Sequence, residues 1–182
     1  RTAAREPKVM LLPPRSLQPR GFTLIELVLT ILVLGILAAV VLPRFTDLAS
    51  DSRRAAVESV AGTMRSTIGI VKSKARAVGL SPAPSNPGGT NQTGYIIETE
   101  AGRSEVDWRN LCPESEAEAA DTLTMLDYLS IDDANTRFET AVDNRYTRVG
   151  FNLPGDPGPG CYVEYDSFGD PNCTVTVVTN GC

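Results

Sequence analysis

The sequence predicts an α+β chain: one long N-terminal α-helix, half transmembrane and half amphipathic, packed on a C-terminal antiparallel sheet of about four strands. Three observations predict it. Residues Phe22 to Leu42 read FTLIELVLTILVLGILAAVVL, 21 residues with one charge, Glu26. Beyond them apolar residues recur at spacings of three and four as far as Val78. From about residue 136 onward the period falls to two, with turn residues between the runs.

The elements follow in order. Residues 1–21 are basic (Arg1, Arg5, Lys8, Arg15 and Arg20 against Glu6) and rich in proline, with no apolar run, which reads as a targeting leader. Met10 offers an internal start that would leave a leader of Met10 to Gly21. Residues 22–43 form a hydrophobic helix that would span roughly 30 Å, the thickness of a bilayer core. The basic residues before it favour a cytoplasmic N-terminus and place the C-terminal part of the chain outside. A cleavable secretory signal would want a shorter apolar core and small residues after it; Pro43, Arg44 and Phe45 stand there instead, which favours a retained anchor.

Residues 44–79 are the amphipathic half of the same helix. Phe45, Leu48, Ala49, Ser52, Ala56, Val60, Met64, Ile68, Val71, Ala75 and Val78 make one apolar stripe. Gly79 is a stop signal, reinforced by Pro82, Pro84 and Pro87. If Phe22 to Val78 is one helix it would reach about 85 Å, so half of it must lie in a membrane or against copies of itself.

Residues 80–182 form the head. A loop over 80–94 precedes a short strand at Tyr95 to Thr99. Glu114 to Leu129, with Pro113 at its start, predicts a second helix whose wet face carries Glu114, Glu116, Glu118 and Asp121. Thr136 to Val142 and Tyr146 to Leu153 flank an Asp143-Asn144 hairpin turn. A Pro/Gly segment then leads to strands at Cys161 to Tyr165 and Cys173 to Thr179, separated by a Gly169-Asp170-Pro171 turn.

Composition narrows the chemistry. The net charge is −5, and residues after Gly21 carry 12 basic against 21 acidic groups, so nucleic acid is not expected as a partner. Histidine is absent, which removes the usual general base and the commonest metal ligand. No catalytic residue, metal site or cofactor is therefore assigned. Asp166, Asp170 and Asn172 fit a solvated turn better than a Ca²⁺ loop. Asn91-Gln92-Thr93 matches a glycosylation sequon, a triplet common by chance. Cys112, Cys161, Cys173 and Cys182 include no CxxC pair, and their even count beyond an anchor fits two disulfides in an oxidising compartment. Sequence permits three pairings. Cys173–Cys182 is the poorest if the intervening residues are extended, since their ends would lie about 30 Å apart.

One stretch carries the function. In Arg20-Gly21-Phe22-Thr23-Leu24-Ile25-Glu26-Leu27, a basic residue and a glycine precede an apolar helix with a single carboxylate five residues on. This closely resembles the processing site of type IV prepilins. The resemblance implies the pilin fold, cleavage after Gly21 by a prepilin peptidase, N-methylation of the new terminus at Phe22 by the same enzyme, and pairing of Glu26 with the Phe22 amine of a neighbouring subunit. Gly35 and Pro43 match positions that bracket a locally unwound stretch in such filaments. Leu42 to Leu48, with Asp51, Arg53, Ala55 and Ala56, is most similar to the mannose-sensitive haemagglutinin subgroup, as are Cys161 to Tyr165 and the terminal Gly181-Cys182. That likeness implies Cys161–Cys182 and leaves Cys112–Cys173.

The expected function is thus a structural subunit, not an enzyme, of a type IV pilus-like filament. Its implied partners are identical copies, the peptidase/methyltransferase, the pilus assembly platform and the inner membrane before assembly. Its implied place is the surface of a Gram-negative bacterium, with a role in adhesion or biofilm. Two alternatives stand beside it: a pseudopilin of a type II secretion system, and a single-pass anchored binding domain that never polymerises.

Overall fold

The computed structural model describes residues 21–88, 93–131, 138–169 and 171–182, and of residues 42–47 the helical backbone alone. The proposed leader (1–20), Asn91 and Gln92 of the sequon, Thr136 and Asp170 lie outside the described residues. The chain divides into two units, Arg1–Arg44 and Phe45–Cys182.

In the first unit the apolar run is helical, as part of α1 (Leu24–Ala77). Every large apolar side chain named between Phe22 and Val41 is at least 42 % exposed. Leu24–Val41 is long and apolar enough to cross a membrane.

In the second unit, residues 45–77 of α1 present Val57, Ala61, Met64, Val71 and Ala75 to the core, all fully buried. The predicted stripe shares Met64, Val71 and Ala75 with this face, but its upper part is rotated by one residue. Val57 and Ala61 take the places expected for Ala56 and Val60, which are only half-buried, while Leu48 and Val78 are exposed. The helix ends as Gly79 predicts. Gly79 has φ +91°, its N–H donates to Arg76 O, and Leu80 N–H donates to Ala75 O, the paired closure of a Schellman cap.

The sheet is a meander of β3 (Glu139–Val142), β4 (Tyr146–Asn152), β5 (Cys161–Asp166) and β6 (Thr174–Val178), antiparallel throughout. A separate hairpin, β1 (Ile96–Thr99) with β2 (Gly102–Glu105), precedes it. Burial alternates along β5, so Cys161, Val163 and Tyr165 face the core with Val149 of β4. The opposite face joins Arg148 to Glu164 at 2.7 Å and to Asp143 at 3.2 Å. The β3–β4 reversal sits one residue beyond the expected pair, at Asn144-Arg145, where Asp143 Oδ1 accepts the N–H groups of Arg145 and Tyr146. The core has two parts. Val57, Ala61 and Met64 pack against the four-stranded sheet, and Val71 and Ala75 against Tyr95, Ile97, Val106 and Leu111.

Gly150 stands where β4 meets β5 at a register shift, and a Cβ there would collide with Cys161 O and Tyr162 Cα. Gly150→Val is expected to cost about 1–3 kcal/mol or more through overpacking, read as a lowered urea midpoint at unchanged slope.

The second helix expected over Glu114 to Leu129 does not form. The segment is irregular, with one short 3₁₀ turn, Leu126–Tyr128. Its backbone groups bond to β2 instead, Glu114 N–H to Glu105 O and Leu123 N–H to Arg103 O, and Met125 N–H donates to Glu114 O within the segment. Short polar side chains compete for the rest, as Asp127 does by accepting from Thr124 N–H and Oγ1. Asp121 takes φ +57°, which breaks any helix. Glu116, Glu118 and Asp121 are exposed as expected, but Glu114 is 3 % exposed and belongs to the interior.

Candidate assembly helix and head anchor

The helix opens on a local device. Thr23 Oγ1 accepts the Glu26 N–H at 3.3 Å, and Thr23 O accepts from Leu27 N–H at 3.2 Å, so Thr23 is the N-cap and Glu26 the third helical residue. This Thr-x-x-Glu order is a capping-box pattern, a signal the apolar run concealed at the level of sequence. The Glu26 carboxylate lies in the first turn, where the helix dipole favours negative charge by about 0.3–1 kcal/mol. Among the described residues no side chain bonds it. Thr30, by contrast, returns its hydroxyl to Leu27 O at 2.7 Å. The run's one charge thus has no partner within the described subunit.

Gly21 and Phe22 precede the cap and are exposed, Phe22 by 83 %. Gly35 faces open space, and the backbone is helical through both Gly35 and Pro43 in the single subunit. Proline offers no N–H to the carbonyl four residues back, so the ladder is weakened there.

In the second unit, two contacts fix α1 to the last strand and the turn before it: Arg65 donates to Val175 O at 3.2 Å, and Lys72 Nζ to Asn172 Oδ1 at 2.5 Å. Lys72 is 8 % exposed, and burial, with Arg76 nearby, lowers its pKa. Two disulfides complete the frame, Cys112–Cys173 and Cys161–Cys182, with Cα separations of 6.1 and 4.9 Å. Asn110, 2 % exposed, donates to Ser167 O and Gly169 O and accepts from Cys112 N–H, holding the first disulfide's surroundings. Asp166 is held by two bonds from Arg145, each 2.8 Å. Nothing in the sequence singled out Asn110, Lys72 or Arg65, because their roles depend on strands distant in the chain.

A family model described as the prokaryotic N-terminal methylation motif matches residues 18–42. Over that segment the chain carries this motif. The type IV narrow pilus major component PilA5 of Thermus thermophilus is 39 % identical over 62 residues, 34 % of this chain and 53 % of the relative. The type IV major fimbrial protein FimA of Dichelobacter nodosus is 43 % identical over 54 residues, 30 % of this chain and 34 % of the relative. The chain thus spans about half or less of the curated relatives it matches. No solved structure matches it. The motif match lies in the N-terminal region, and the mannose-sensitive haemagglutinin subgroup is not among the relatives named.

Proposed function

We propose that the chain is a structural, non-enzymatic subunit of a type IV pilus-like surface filament, cut after Gly21 and methylated at Phe22. The observation that carries this reading is Arg20 to Leu27 heading an exposed helix of membrane-crossing length. So large an uncovered apolar surface needs lipid or other copies of the chain around it. The reading divides the chain into a leader (1–21), an anchoring and polymerising helix (22–43), an amphipathic stem (44–79) and a head (80–182). Before assembly the subunit sits in the inner membrane; afterwards the helices bundle in the filament core. Glu26 then meets the Phe22 amine of a neighbour, and loosening between Gly35 and Pro43 lets helices adjust as they pack. Adhesion or biofilm formation at a Gram-negative surface, and closeness to the mannose-sensitive haemagglutinin subgroup, belong to this reading.

Mass spectrometry of sheared surface filaments is expected to find the protein beginning at N-methyl Phe22. Uncut leader on a membrane-bound monomer would overturn the proposal. A pseudopilin shares the same N-terminus; loss of exoprotein secretion with unchanged piliation on gene deletion would favour that reading.

A further inference from the structure

Three carboxylates converge in the head where β2 runs into the following segment. Glu105 and Asp107 are fully buried, and Glu114 is 3 % exposed. Each is answered differently. Asp107 accepts from the Arg109 N–H at 2.6 Å and from its guanidinium at 2.7 Å, and that guanidinium lies over the Trp108 and Phe168 rings. Glu105 accepts through Oε2 from the N–H groups of Glu118 and Ala119, both at 2.9 Å. Among the described residues Glu114 forms no ion pair. It is faced by Glu105 of β2, by Asp107 beyond it, by Glu118 of its own segment and by Tyr165 of β5, with Arg109 opposing them.

The antiparallel bridge between Val106 and Pro113, with Glu114 N–H donating to Glu105 O and Asp107 N–H to Cys112 O, sets Glu114 beside both of these acids. Buried carboxyl groups crowded in this way are relieved when one of them carries a proton. Burial first, and then the charges of Asp107 and Glu105, push the Glu114 carboxyl up to about 9, which makes it the one that keeps a proton. Glu114 Oε2 and Glu105 Oε1 are buried without a partner, so the cluster has little capacity for a further negative charge.

We propose that Glu114 keeps a proton within this buried cluster and so forms a latch that holds residues 112–125 against β2, releasing them as pH rises. The bonds at stake are Glu114 N–H to Glu105 O, Leu123 N–H to Arg103 O, the two amides on Glu105 Oε2, and Tyr165 OH to Pro113 O at 2.6 Å. Once the segment opens, Glu114 ionises in the ordinary range near 4.5; closed, it holds its proton to about 9. Between those values the open form binds one proton fewer, so each pH unit favours opening up to tenfold. Below the lower value the latch is at full strength. Above the upper value both forms are ionised and the trend stops.

Amide exchange of the full chain in detergent micelles, from pH 5 to 8, tests this against Glu114→Gln, which keeps the size of a neutral carboxyl but cannot ionise. Peptides within 112–125 are expected to open more in the wild type by a ratio growing up to tenfold per pH unit, while peptides from β4 and β5 keep a constant ratio. A constant ratio for 112–125 would overturn the latch. Should the variant not fold, the carbon-13 shift of the wild-type Glu114 carboxyl decides: no titration below pH 7 is expected, and a midpoint near 4.5 would sink the idea.

Discussion

Glu26→Ala is expected to abolish surface filaments while leaving processed subunit in the membrane at wild-type amount. At about 4 Å and an effective dielectric near 20, the proposed pairing with a neighbour's Phe22 amine is worth roughly 4 kcal/mol before desolvation. That corresponds to nearly a thousandfold in each subunit addition. The competing local effect, loss of a first-turn carboxylate from the helix dipole, amounts to about 0.3–1 kcal/mol. Helix formation should therefore survive and assembly should not. Electron microscopy of sheared material beside immunoblots of membranes separates the two, and pili of normal abundance would remove Glu26 from the assembly contact.

Replacing both cysteines of Cys112–Cys173 by serine is expected to cost more stability than the same change at Cys161–Cys182. The bridges close sequence separations of 61 and 21 residues. Chain entropy then favours them by about 4 and about 3 kcal/mol respectively. Against a usual total of about 5–15 kcal/mol, either loss is large. Denaturant unfolding in detergent, with both pairs of serine variants, checks the order. Equal or inverted losses would mean that structure retained in the unfolded chain, rather than loop length, sets the effect.

Much of the architecture is legible in the residues. An apolar run with one charge, then a stripe of period 3.6, then strands of period two, specify α1 and the meander because each pattern has one simple way to bury itself. Legibility fails at Glu114 to Leu129. There the composition is that of an acidic amphipathic helix, yet the backbone bonds to β2 and one acid turns inward. No local pattern announces this, because Glu105, Asp107 and Glu114 acquire their roles only when β2 and the segment meet. The same holds for Lys72 and Asn172, one hundred positions apart and joined by a single contact. At the other end Thr23 was readable as a cap, since Thr-x-x-Glu precedes an apolar run, but the strength of the hydrophobic signal masks it.

The Cys112–Cys173 bridge also has a mechanical meaning. It encloses β3, β4 and β5 in a covalent ring, so tension entering through α1 and leaving through β6 passes across the bridge and not along the strands between. A sequence separation of 61, roughly 200 Å of contour length, is withheld from stretching. Reduction would release that slack, turning a head that resists extension into one that lengthens under load.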